Sequence, residues 1–484
     1  LILGHQTTGT LDSADGNTGV GYAALDAITS GDNNVAVGFG SLSANTTGAA
    51  NTSVGEGSLA ANTTASYNTA VGREALNDNT TGASNTAVGN RALDVSTTGN
   101  YNVAVGSSAL GANTTASNNI AVGTNALLSN TTGADNTAVG YAALDANTTT
   151  SNLTAVGYGA LGANTTGHNN TAVGSNALLV CSTGTYNTAI GNYALDAHLG
   201  SGATAVGANA LGANTTGGSN TAVGQTALAT NTTGGNNTAV GLNALTANTT
   251  ADNNTAVGQG ALGANTTGTE NVAVGKGALD ANTTTSSNTA MGNNALGANI
   301  AADNTAFGRH ALASNTTGIN SVAVGLNALD AQTTVGYNTA VGYNALSAIT
   351  TGYNCVAVGS TAGAVNTAHN LVAVGANCLD ANTTGAENTG VGSHALTLNT
   401  TGGSQTAVGH EALAATTTGG GNTAIGRSCM IANTTGTDNT AVGLYALDAN
   451  TTAANNTAVG YGSLGANTTG ANNVTLGYNS GNDS

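Results

Sequence analysis

The chain has 484 residues, with 72 Gly, no Pro, no Trp and aromatic residues at only 3%. Such a composition cannot fill a wide globular core, yet apolar residues still make up 40%, more than a disordered chain carries. The formal net charge of -17, from 22 acidic against 5 basic residues, argues against nucleic acid and anionic membrane surfaces as partners, since both need a basic patch.

The chain opens on Leu1-Ile2-Leu3-Gly4, an apolar segment closed by glycine, and the same beat then recurs. Gly21, Gly38, Gly55, Gly72 and Gly89 follow at a spacing of 17, and the series runs to Gly477 with three steps shortened by one residue. So short a period, with Gly at a fixed place, predicts one coil of a solenoid stacked directly on its neighbours. The expected fold is all-β, a parallel β-solenoid (β-roll) with about 17 residues per coil and about 28 coils. Composition changes nowhere along the chain, so residues 1–484 read as a single continuous repeat array with no separate domain.

Each coil begins with the residues before the glycine. Thr137, Ala138 and Val139 show period-two alternation with β-branched preference, which predicts a strand. The expectation places Thr137 and Val139 inward and Ala138 on the opposite face. Ala143 and Leu144 come next, as a second short strand or a bend, with Leu144 inward. Asn147-Thr148-Thr149, followed in many coils by Gly, then forms a corner in which the glycine supplies a positive φ. Asn stacked on Asn can hydrogen-bond its amides along the array. Two such columns are expected, one through Asn136, Asn187 and Asn220, the other through Asn147, Asn164 and Asn214. Five residues after the glycine, Asp94, Asp145 and Asp196, and again Asp280, Asp330 and Asp380, recur every third coil, which keeps like charges off adjacent coils.

Catalytic chemistry is not expected. The histidines, His5, His168, His198, His310, His369, His394 and His410, fall at different coil positions without a recurring His/Asp/Ser set. No phosphate loop or calcium-binding glycine-aspartate turn is present, so the reading is a non-enzyme with no cofactor or metal. Cys181, Cys355, Cys378 and Cys429 lack C-x-x-C spacing and read as small buried hydrophobes. Asn-Thr-Thr matches the glycosylation acceptor pattern at Asn45, Asn62, Asn79, Asn113 and Asn130, although the same words serve a ladder and turn equally well. No apolar run approaches the roughly 20 residues that span a bilayer, so membrane insertion is not expected.

The last strand is Val474-Thr475-Leu476-Gly477, in phase with the first. Leu1, Ile2, Leu3, Val474 and Leu476 are therefore candidate assembly ends, with Leu1, Leu3, Val474 and Leu476 pointing inward and the last coil of one molecule accepting the first coil of the next. That contact would build a head-to-tail filament from rods of roughly 130 Å, at about 4.8 Å per coil. A homotrimer is the competing assembly.

NNVAVG at Asn33 to Gly38, YNVAVG at Tyr101 to Gly106 and ENVAVG at Glu270 to Gly275 resemble the strand motif in the head repeats of trimeric autotransporter adhesins. The wider NTAVG and NTTG words are similar to repeats in bacteriophage tail fibre and bacterial surface proteins. The resemblance implies a parallel β-roll, commonly left-handed and trimeric, displayed outside a cell or virion as a rigid adhesive or spacing rod; the coil here is longer than those adhesin heads use. The functional expectation is a non-enzymatic, extracellular structural or adhesive fibre element at the cell or virion surface. Its partners would be itself and, as further candidates, cell-surface glycans. The alternative is an ice-binding β-solenoid presenting Thr and Asn ladders. That reading needs two outward Thr ranks at alternate positions of one strand; Thr148 and Thr149 are adjacent, so only one can face out, and an inward Thr137 weighs against it as well.

Overall fold

The computed structural model describes residues 2–3 and 14–482. Among them the chain is an all-β parallel solenoid: one short strand per coil, turns between, and no helix. Contacts divide it into two compact units, Leu1–Val240 and Gly241–Ser484. In the first, Thr137–Val139 pairs in register with Thr154–Val156, which pairs in turn with Thr171–Val173. In the second, Val272–Val274 lies between Thr255–Val257 and Thr289–Met291. The shortened coils keep phase, with Thr188 opposite Thr204 and Thr289 opposite Thr305. The missing residue is absorbed in a turn.

Bonding between coils is not confined to the strands. The Leu144 N–H donates to the Ala160 carbonyl at 3.0 Å, Ala146 to Gly162 at 3.2 Å and Thr131 to Thr148 at 2.7 Å. Each coil is thus stitched to its neighbours along the turns as well as the strand, which satisfies backbone groups that would otherwise be buried unpaired.

The strand faces are the reverse of the sequence expectation. Ala138 is buried, while Thr137 and Val139 lie on the outer surface, half-exposed. The middle residue is buried in each strand from Thr18–Val20 to Thr457–Val459. The interior is thin, and it is filled from the other side by the fully buried Ala143 and Leu144. Only a small side chain fits behind the strand at that distance, Ala in most coils and Ser53 in one, where the hydroxyl bonds Ser58. The β-branched residues keep their conformational preference for extended backbone while standing outside.

The segment holding Ala143 and Leu144 is a turn, not a second strand. It contains two left-handed residues, Ala142 at φ 52 and Leu144 at φ 54, and a third, Asp135 at φ 58, precedes the strand. An L-residue pays roughly 1–2 kcal/mol for that conformation, and a β-branched one more. At Leu144 the left-handed turn swings the side chain into the core. The equivalent place is Leu in coil after coil, with Met430, Gly363 and Gly481 as variants and no Val, Ile or Thr among the described coils. The place of Ala142 is rich in Asn and Gly, as at Asn125, Gly159 and Asn176.

Gly140 has φ 136, and a Cβ there would collide with the carbonyl oxygen of Gly157 in the next coil. That contact makes the glycine spacing regular. The corner glycines differ from expectation: Gly133 and Gly167 do not take a positive φ. They are small because a Cβ would press on the next coil's carbonyl and on the Asn130 or Asn164 amide oxygen.

Leu144→Ile should therefore cost about 1–3 kcal/mol of unfolding free energy despite equal volume, whereas Leu144→Met should cost under about 1.5 kcal/mol. Equal urea midpoints for the two variants would contradict the left-handed assignment. By the same measurement Ala138→Leu should cost about 1–3 kcal/mol through overpacking, and Val139→Thr should sit close to the parent.

Candidate functional site

Because the strands run parallel and in register, their outward residues form two continuous ranks within each unit. One rank is Thr, Val or Ile, through Ile120, Thr137 and Thr154; the other is mainly Val, through Val122, Val139 and Val156. These side chains stand half-covered by their neighbours above and below. The chain's larger apolar residues are not withdrawn from this face: Phe307 occupies the second rank and is 52% exposed. One rank thus presents mostly the hydroxyl and methyl groups of Thr, the other mostly the methyl groups of Val.

The asparagine columns form as expected, and each makes more bonds than stacking alone requires. The Asn147 amide donates to Asn130 Oδ1 at 3.0 Å, one coil back, and to the Thr150 carbonyl at 3.0 Å. Asn136 donates its amide to the same Thr150 carbonyl at 2.8 Å, and its Oδ1 accepts the Leu153 backbone N–H of the next coil at 3.0 Å. The second unit repeats this with Asn271 and Asn282 on the Thr285 carbonyl, both at 2.9 Å. The glycosylation candidates Asn45, Asn62, Asn79, Asn113 and Asn130 all lie in the column of Asn147, called the inner column, with that of Asn136 the outer, and are buried. The amide nitrogen that a sugar would modify is the ladder donor, bonded to Gly48 from Asn45 at 2.8 Å and to Gly133 from Asn130 at 2.9 Å.

Of the candidate assembly ends, Leu1 lies outside the described residues. Ile2–Leu3 is a strand whose backbone pairs with Gly19 and Val20. Val474 and Leu476 are 79% and 78% exposed. They occupy the outward ranks, so their expected inward placement is corrected together with that of Thr137 and Val139.

The four cysteines are buried and free, as expected for small hydrophobes, and burial pushes the Cys378 and Cys429 thiols up to about 12. Cys181 and Cys355 stand in the asparagine columns, a placement that counting from Gly174 and Gly359 would have disclosed. His394 bonds Ser393 at 2.9 Å and Asn377 at 3.1 Å on the surface, and His5 lies outside the described residues. Among the described residues no group of three His, Cys, Asp or Glu is placed to hold a metal ion. Comparison with protein-family models gave no match to this chain, and comparison with curated proteins gave none either.

His198 takes an inner-column asparagine position, with Nδ1 accepting the Asn214 amide at 2.8 Å and Nε2 buried without a partner. Burial draws its pKa from 6.5 down to about 4. The folded chain therefore holds the imidazole neutral while the unfolded chain protonates it. Stability is complete above the unfolded value and is lost as pH falls from there towards 4, by about 3 kcal/mol. Burial raises the carboxyls of Asp94, Asp145, Asp196, Asp330 and Asp448, which shifts stability in the opposite sense, so the parent must be compared with a matched variant. His198→Asn should remove the acid-dependent loss in paired melts at neutral and acid pH; parallel losses in both proteins would contradict the neutral buried ring.

Proposed function

We propose that the chain is a non-enzymatic structural and adhesive element of an extracellular fibre, at a cell or virion surface, and that it associates laterally with copies of itself through the outward Thr and Val ranks. The observation that carries this reading is the paired outward rank, β-branched and apolar, repeated in register along each unit. Lateral contact would cover that strip and stabilise by burying apolar area in proportion to the number of coils. A homotrimer is the assembly most in keeping with the sequence resemblance. The identical presentation of every coil also suits a spacer, since stiffness and length then scale with coil number.

A second reading gains from the same observation. Thr137 faces outward, so the objection to an ice-binding surface drawn from its expected inward placement no longer stands. The outward ranks nevertheless alternate Thr with Val and interrupt with Val103, Ile120 and Phe307, which makes the face less regular than paired Thr ranks.

Sedimentation velocity over a range of concentrations tests the leading reading. The parent should run as an assembly, and Val122→Lys, Val173→Lys and Val223→Lys combined, each three coils from the next so that the like charges do not meet, should shift it towards the single chain without changing the circular dichroism. A parent that sediments as one chain throughout would overturn lateral association. Thermal hysteresis in a freezing-point assay would favour the ice-binding reading instead.

A further inference from the structure

The turn that follows the repeat glycine carries a shallow trough at the same place in two coils far apart in sequence. In the first unit it is about 480 Å³ and is lined by Asp145, Tyr158, Gly159, Gly162 and Asn176 among others. In the second it is about 350 Å³ and is lined by Asp448, Tyr461, Gly462, Gly465 and Asn479. Counted from the repeat glycines, the five residues match one for one. The Asp is five after Gly140 or Gly443, the Tyr, Gly and Gly belong to the next coil, and the Asn is two after Gly174 or Gly477.

Each trough exists because glycine occupies a place that carries a side chain elsewhere. Leu128 and Leu179 fill the place of Gly162 in nearby coils. The vacancy leaves a carboxylate on one side, with Asp145 Oδ1 3.4 Å from where a Gly162 Cβ would be. On the other side stands a tyrosine held by stacking. Tyr158 lies 5.4 Å from Tyr141 of the coil before at 12°, whereas Tyr461 lies 5.1 Å from Tyr478 of the coil after at 10° and has Tyr445 edge-on at 6.3 Å from the coil before. Tyr158 is 59% exposed. No Lys or Arg lines either trough. Two other troughs at related positions differ in both respects: they are lined by Arg91 with Asp94 and by Lys276 with Asp280, and no aromatic ring borders them.

We propose that the Tyr158 and Tyr461 troughs are binding subsites for a neutral pyranose of a glycan, which lays its C–H face on the tyrosine ring and gives its hydroxyls to the Asp carboxylate and the Asn amide. The electron-rich ring face attracts polarised C–H groups. A carboxylate accepts from hydroxyl donors while an amide both donates and accepts, a combination that suits neighbouring hydroxyls on a sugar ring. A small number of fixed polar groups beside an apolar wall is the usual composition of a small-ligand site. The carboxylate repels anionic sugars, and no cation is present to receive them. The inference deepens the adhesive part of the fibre reading and rests on it for its biological setting, but not on self-association.

Saturation-transfer NMR on the full chain, with the methyl glycosides of glucose, galactose and mannose and with N-acetylglucosamine as probes, tests it. At least one probe should receive saturation, strongest on the C–H groups of one ring face. Tyr158→Ala with Tyr461→Ala should weaken that binding about fivefold. Gly162→Leu with Gly465→Leu should abolish it, since these substitutions place in each trough the side chain that Leu128 and Leu179 carry at the same coil position. Melting curves for the filled variant should match the parent. Absence of transfer to every probe, transfer unchanged in the filled variant, or binding of methylammonium alone would overturn the proposal. Sedimentation reads self-association separately, so either idea can fail without the other.

Discussion

The Asn136 and Asn147 amides both donate to the carbonyl of Thr150, at 2.8 and 3.0 Å, in an interior otherwise made of methyl and isobutyl groups. A carbonyl oxygen has two lone pairs, and at buried equivalents such as Gly133, which accepts from Asn119 and Asn130 at 2.9 Å each, burial leaves no water to fill either. Meeting both requires Asn136 to point inward. Strand side chains alternate, so Ala138 must also point inward and Thr137 and Val139 outward. The wall between strand and opposite turn is then only as thick as an alanine. The bulk that the core still needs comes from Leu144, turned inward through a left-handed residue. An apolar outer strip follows from an internal hydrogen bond.

Much of this was open to reading in the sequence, and one step was misread for a definable reason. The spacing of Gly21, Gly38 and Gly55 disclosed the coil, and the repetition of Asn at two phases disclosed both ladders. Alternation with β-branched preference, together with the size of Val, favours Thr137 and Val139 over Ala138 for the interior. The inward Asn136 and the inward Val139 cannot both hold, because they differ by an odd number of residues along one strand. Parity was the stronger argument. The left-handed Leu144 also had a signal, namely that a position devoted to a large apolar residue never accepts Val or Ile among the described coils. The troughs had a weaker one, because Tyr158, Gly159 and Gly162 are spread over a coil and acquire meaning only when Asp145 and Asn176 are set beside them by stacking.

Exceptions within the ladders show where the inner bonds are kept and where they lapse. Where Ser321 replaces the longer asparagine of the outer column, Gln332 replaces the asparagine of the inner one. The Gln332 amide then reaches Ser321 Oγ at 3.0 Å and accepts from the Asn338 amide at 2.9 Å. A side chain shortened by one group is met by one lengthened by a methylene. Gln405 in the other column donates across the coil to Asn399 Oδ1 at 3.0 Å, while its own Oε1 is buried without a partner. His198 likewise supplies one acceptor to Asn214 and leaves Nε2 without a partner.

The division of labour within a coil bears on how such a chain can acquire binding surfaces. The glycine at Gly140, the buried Ala138 and Leu144, and the two asparagines are each constrained by the coil above or below. The positions of Tyr141, Ala142 and Asp145 meet their equivalents in adjacent coils only at the surface. They vary accordingly: the place of Asp145 is Leu128 one coil earlier and Gly162 one coil later. A site built there consists of residues from three successive coils, none of which contributes much to holding the others in place. Sites can therefore be gained or lost one residue at a time, while the bonds of Asn136 and Asn147 keep each coil in register with the next. The scarcity of charge fits the same logic, since a charged residue repeated in every coil would face its own copies about 4.8 Å away.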